Sequence, residues 1–195
     1  MKLPVARFIS LVLNPLAVIV FVPFFLIYRT TNDIFAAINW TMYTLLFLLV
    51  VAVFILVSVR KGVFTDYDVS KREQRPLLFL VTMLLSVIYL GGLFLFDAPA
   101  ILFIVTFGII LGILCASIVN NWIKASMHVA TITALLTTAA IVYGGLYYLL
   151  LFLIPLVAYI RVKAKRHTTP ETIAGAIFGA LLSLLMYLMV RSFLG

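Results

Sequence analysis

Ala100-Ile-Leu-Phe-Ile-Val-Thr-Phe-Gly-Ile-Ile-Leu-Gly-Ile-Leu-Cys-Ala-Ser-Ile-Val119 is a run of 20 residues without one charged side chain. As a helix it extends about 30 Å, the thickness of a bilayer's hydrocarbon core. Similar runs recur on both sides of it, and the 195-residue chain is 66% hydrophobic and only 10% charged. A water-soluble domain of this size cannot hide so much apolar surface. The fold class is therefore all-α, a polytopic membrane bundle, because helices satisfy their own backbone hydrogen bonds in lipid.

Working outward, the spans are expected at about Phe8–Tyr28, Ile34–Val59, Leu77–Leu95, Ala100–Val119, Ser126–Tyr143, Leu146–Ile160 and Thr172–Val190. That makes six to seven transmembrane helices in a single domain over residues 1–195, the fifth and sixth being short. Asn14-Pro15 and Pro23 are candidate kinks in the first. Met1-Lys-Leu-Pro-Val-Ala-Arg7 carries no small-residue cleavage site, so the first run reads as a span and not as a removed signal peptide. Arg29–Asp33 is a polar turn with cap-type residues, Pro99 fits a first helical position, and Gly144-Gly145 turns the chain. The lone Cys115 permits no intrachain disulfide.

Three polar segments interrupt the runs, at about 60–76, 120–128 and 161–171. They follow the second, fourth and sixth spans, so all three are expected on one membrane face. The third reads Arg161-Val-Lys-Ala-Lys-Arg-His167-Thr-Thr-Pro-Glu171. His167 and Glu171 are four apart, one helical turn, which lets the carboxylate orient the imidazole. Thr168-x-x-Glu171 also fits a capping box, with Pro170 at a helix start, and the two uses are compatible. The second segment, Asn120-Asn-Trp-Ile-Lys124-Ala-Ser126-Met-His128, puts Ser126 where a helix begins. Such a serine is an ordinary N-cap, or part of an anion site built from free helix N–H groups. Lys124 and His128 share a face if that helix starts early. In the first segment, Asp66-Tyr-Asp68-Val-Ser-Lys71-Arg72-Glu73-Gln-Arg75-Pro76, Pro76 opens the third helix and leaves Arg75 at its mouth. Asp66 and Asp68 lack a partner cluster, so no metal ligand set is expected.

In order and spacing, the three segments resemble the type 2 phosphatidic acid phosphatase superfamily. Its signature is Lys, six residues, Arg-Pro; then Pro-Ser-Gly-His; then Ser-Arg, five residues, His, three residues, Asp. Arg161, five residues, His167, three residues, Glu171 keeps the third spacing, followed by Ala174-Gly175, with Ile160 for the serine and Glu171 for the aspartate. Ala125-Ser126-Met127-His128 keeps the serine and histidine of the second part and loses its Pro and Gly. Arg75-Pro76 keeps the end of the first, with Asp68 at the lysine position and Lys71 or Lys124 as replacements. The resemblance covers residue 60 to the last helix. It implies a metal-independent and cofactor-free lipid phosphatase acting on a phosphomonoester or diphosphate of the phosphatidic acid, phosphatidylglycerol phosphate or polyprenyl class. His167 would be the nucleophile, Glu171 its orienting carboxylate and His128 the general acid and base. Arg75, Arg161, Ser126 and Lys71 or Lys124 would hold the phosphate.

The formal charge of +8 is read as lysine and arginine flanking spans and meeting lipid headgroups or a lipid phosphate substrate, with no nucleic acid partner. With seven spans, only Arg29 and Arg191 of the 14 basic residues fall on the face opposite the polar segments. The positive-inside rule then puts those segments in the cytoplasm of a plasma or inner membrane. Two alternatives stand beside the phosphatase. One is a non-catalytic or phosphotransferase relative that uses the same pocket, and the other is a transporter or scaffold. No Lys, Arg, Asp or Glu lies at the middle of a span, which speaks against ion-coupled transport.

Overall fold

The computed structural model describes residues 15–194, and every regular element among them is helical. The helices are α1 (Pro15–Thr31), α2 (Ile34–Arg60), α3 (Arg75–Leu95), α4 (Ala100–Val119), α5 (Met127–Tyr143), α6 (Leu153–Lys163) and α7 (Thr169–Leu194). Short 3-10 stretches, Arg72–Gln74 and Gly145–Phe152, lead into α3 and α6. Five helical segments are long and apolar enough to cross a membrane: Ile34–Arg60, Arg72–Leu95, Ala100–Val119, Gly145–Lys163 and Thr169–Ser192. Val18–Thr31 and Met127–Tyr143 are shorter apolar helices. The expected Phe8–Asn14 part of the first span lies outside the described residues, and Pro15 of the candidate Asn14-Pro15 kink is the first residue of α1. Helix α1 continues through Pro23.

Contacts group the chain into two compact units, 16–120 and, among the described residues, Pro15 with 121–194. In the first unit, Asp33 caps α2: its Oδ1 accepts the N–H groups of Phe35 at 2.8 Å and Ala36 at 3.1 Å. At the far end Gly62, at φ +73, takes the left-handed conformation that lets the chain leave the helix. Ile27, Ala37, Leu93 and Leu102 form the buried core where α1–α4 meet. Deeper along α2, the Tyr43 and Tyr89 rings stack at 5.0 Å, and the Thr44 and Tyr89 hydroxyls share a 2.9 Å hydrogen bond. Such internal bonds satisfy polar atoms that lipid cannot. Tyr43 needs Gly92 beside it, because its hydroxyl occupies the space of any Cβ there.

Pro99 is the N-cap of α4, at φ −55 and ψ 138, one place before the helical position expected for it. Its extended ψ makes the corner, and its carbonyl accepts the Leu102 N–H at 2.9 Å. The sixth expected span also differs from a plain α-helix. Gly144 and Gly145, at φ +62 and +52, make the predicted turn, and the chain then winds as a 3-10 helix for eight residues before α6 starts.

In the second unit, α5 and α7 pack backbone to backbone. A Cβ on Gly175 would stand 2.5 Å from the Ser126 carbonyl oxygen, and one on Gly179 would collide with the Ala130 carbonyl. One turn further, Ser183 Oγ donates to the Ala134 carbonyl at 2.6 Å and meets Thr138 Oγ1 at 2.9 Å. Gly175, Gly179 and Ser183 are spaced four apart, the small-residue stripe that lets membrane helices approach closely. Opposite them Ser126, Ala130, Ala134 and Thr138 carry the same period. This seam fixes the start of α7 against the start of α5.

Candidate functional site

Helix α6 ends in a reversal that aims the third polar segment. The Lys165 N–H bonds the Val162 carbonyl at 3.0 Å and the Arg166 N–H bonds the Arg161 carbonyl at 3.2 Å. This paired closure is a Schellman motif, with Lys165 at φ +58 in the left-handed position usually given to glycine. The chain turns back and presents His167 just before α7.

Helix α7 then opens as the capping-box spacing predicts for its carboxylate half. Glu171 Oε2 accepts the Thr168 N–H at 3.2 Å, which supplies one of the helix's orphan donors with an acceptor. The same oxygen lies 2.8 Å from His167 Nδ1 and 3.6 Å from Lys124 Nζ. Lys124 also donates to the Arg166 carbonyl at 3.4 Å, tying the segment before α5 to the loop before α7. The His167 side chain is only 4% exposed, against 19% for Glu171 and 22% for Lys124. A buried imidazole is thus held by a carboxylate that still reaches solvent. When His167 is neutral, its Nδ1–H donates a hydrogen bond to the anionic Glu171, which leaves the lone pair on Nε2.

Ser126 occupies the N-cap of α5 with extended dihedrals, φ −76 and ψ 106, yet its side chain makes no capping bond. Its hydroxyl is fully buried and has no hydrogen-bond partner among the described residues. Its backbone is used instead: the Ser126 N–H donates to the Glu171 carbonyl at 3.0 Å. Burial of a hydroxyl without a partner costs about 1–3 kcal/mol. Its use as a plain N-cap, one of the two sequence readings, is not realised.

His128 and Arg161 are buried within the same unit, His128 in the first turn of α5 and Arg161 in the last turn of α6. Arg161 is 2% exposed and is the largest of the fully buried side chains. A guanidinium taken that far from water demands anionic or strongly polar company. Lys124 lies outside α5, which begins only at Met127, so it does not share a helical face with His128 as an early start would have required. It turns to Glu171 instead.

Arg75 and Lys71 belong to the other compact unit. Arg75 is the first residue of α3, at the helix mouth as expected, and is 5% exposed. Its Nε donates to the Val69 carbonyl at 3.3 Å. Lys71 is exposed and precedes the Arg72–Gln74 turn. Asp66 is occupied by its own loop: Oδ1 accepts the Asp68 N–H and the Ser70 hydroxyl, both at 2.9 Å. Among the described residues no three His, Cys, Asp or Glu side chains gather into a metal-binding group.

An open basin of about 660 Å³ lies over this region, lined by Lys124, Val162, Thr169, Pro170 and the run from Lys165 to Thr168, with Glu171 at its edge. Three cationic side chains, an imidazole and one carboxylate around an open basin suit a bound anion. Sequence reading had already pointed to His167, Glu171, Lys124 and Ser126. It missed the stripe of Gly175, Gly179 and Ser183 that places them, although three small residues four apart are a readable signal. Comparison with protein-family models, with curated proteins and with solved structures returned no match.

Proposed function

We propose that this protein is a membrane lipid phosphatase that hydrolyses a phosphomonoester or diphosphate through a phosphohistidine, as type 2 phosphatidic acid phosphatases do. The observation that carries the reading is the 2.8 Å contact of His167 Nδ1 with Glu171 Oε2, set in a basic basin at the end of two apolar helices. The orienting carboxylate leaves Nε2 as the nucleophilic atom. Its lone pair attacks phosphorus, the N–P bond forms, and the P–O bond to the lipid breaks. His128 gives the leaving oxygen its proton, then takes one from the water that attacks the phosphohistidine and releases phosphate. Glu171 stabilises the positive charge on the imidazole while the N–P bond exists. Lys124, Arg161 and Ser126 bind the phosphoryl oxygens.

The sequence order supports an orientation: the polar segments follow the second, fourth and sixth expected spans, and 12 of the 14 basic residues go with them, which favours the cytoplasmic side of a plasma or inner membrane. The lipid tail stays in the bilayer while the headgroup enters the basin. The test is phosphate release by detergent-purified protein over a panel of phosphatidic acid, phosphatidylglycerol phosphate and polyprenyl phosphates, with EDTA present. EDTA-resistant release that His167→Ala abolishes is the expected result. No release from any of them would replace the phosphatase with a phospholipid-binding or phosphotransferase protein.

A further inference from the structure

A second concavity adjoins the basin. It is a groove of about 450 Å³ between α6 and α7, inside one compact unit. Ala158, Thr172 and Ala176 are among its small-residue lining, and Tyr159 and Ile173 stand beside them. Val162 and Thr169 line both the groove and the basin, so the two are continuous. The Thr172 hydroxyl is taken up by a 2.8 Å bond to the Thr169 carbonyl, so it is not a free donor in the groove. The Lys163 ammonium lies 5.5 Å from the centre of the Tyr159 ring, and the basin that the groove joins is lined by Lys124, Lys165 and Arg166. The groove is therefore apolar along its length and cationic where it opens.

We infer that this groove binds one hydrocarbon chain of the lipid whose phosphate occupies the basin. The inference rests on the basin being a phosphate site. Bilayer lipid wets any apolar surface, but two features make this one selective. Its small-residue lining on facing helices makes a trough where α6 and α7 would otherwise meet ridge to ridge. Through Val162 and Thr169 it joins the basin lined by Lys124, Lys165 and Arg166, so a chain lying in it carries an anionic headgroup to the cations. A neutral lipid gains the apolar contact and not the second.

The test is photolabelling of the whole protein in nanodiscs with a long-chain alkyl phosphate bearing a mid-chain diazirine, mapped by mass spectrometry. Labelling should concentrate on Tyr159 and Ile173, be displaced by the unlabelled alkyl phosphate, and resist the matching alkyl alcohol. Ala176→Phe fills the trough and should reduce that labelling to the level at Leu146, an 80% exposed residue outside the groove. The wild-type pattern decides the matter if that variant does not fold. Labelling spread evenly over lipid-facing residues, or equal displacement by the alcohol, would overturn the inference. Charge-dependent labelling of the groove by a protein that releases no phosphate would keep the chain site and remove the phosphatase.

Discussion

Gly175→Ala adds one methyl group at the point where α7 touches α5. The new Cβ would lie 2.5 Å from the Ser126 carbonyl oxygen, 3.2 Å from its nitrogen and 3.3 Å from its carbonyl carbon. All three are backbone atoms, so no side chain can swing aside. Ordinary contact begins near 3.4 Å, which means that the helix ends must separate by about 0.9 Å. The Ser126 N–H to Glu171 carbonyl bond, 3.0 Å long, spans the same gap and is stretched or lost. Overpacking of this kind costs about 1–3 kcal/mol, and a lost backbone hydrogen bond about 0.5–1.5. Alanine returns up to about 1 kcal/mol through its better helix propensity. The net expectation is a destabilisation of about 1–3 kcal/mol, read as an apparent unfolding midpoint several degrees lower in detergent. Gly91→Ala is the control, since nothing lies within 4 Å of a Cβ there. It should leave the midpoint unchanged or raise it. Phosphate release should fall further in Gly175→Ala than the loss of folded protein explains, because the displaced α7 start carries Glu171. A Gly175→Ala protein as stable and active as Gly91→Ala would refute the close-packed seam and its role in positioning the dyad.

Ser126→Ala removes a buried hydroxyl that has no partner among the described residues and should hold stability or raise it by up to about 1–3 kcal/mol, where loss of an ordinary N-cap serine would cost about 1. Its KM for the lipid phosphate should rise; a large loss of thermal stability would instead make the serine a cap. Lys124→Met removes a partly exposed pair and should cost at most about 1 kcal/mol of stability. It should lower kcat/KM about tenfold, equivalent to about 1.4 kcal/mol of transition-state stabilisation, with Lys124→Arg recovering part of it; unchanged kinetics would leave the lysine a structural tie. Glu171→Gln keeps an acceptor for the Thr168 N–H and removes the charge facing His167. The protein should fold normally and lose about 10²–10⁴ in kcat, as other histidines do without their carboxylate; retained turnover would remove Glu171 from the chemistry.

Much of the site was legible because its partners are close in sequence. Residues four apart on a helix start meet by geometry, so His167 and Glu171 could be paired from spacing, and Thr168 was marked by the capping pattern. Helices α2, α4 and α5 keep close to their expected ends because Asp33, Pro99, Ser126 and Gly144 punctuate apolar runs. The parts that could not be read depend on packing. The 3-10 winding of Gly145–Phe152 lies in a uniformly apolar run, where nothing in the pattern distinguishes three residues per turn from 3.6. Lys124 finds Glu171 only because α5 starts at Met127 and the seam brings the α7 start alongside. Arg75 could be placed at the mouth of α3 from its neighbouring proline, but its bond to the carbonyl of a left-handed Val69, at φ +46, depends on how the loop folds back.

The most direct measurement is to trap the intermediate. Protein mixed with a radiolabelled lipid phosphate in EDTA, quenched within a turnover and denatured in base, should retain label with the acid lability of a phosphohistidine, mapped to His167 by proteolysis. His167→Ala should carry no label and release no phosphate. EDTA-resistant phosphate release that persists undiminished in His167→Ala would contradict the assignment of His167 as the nucleophile.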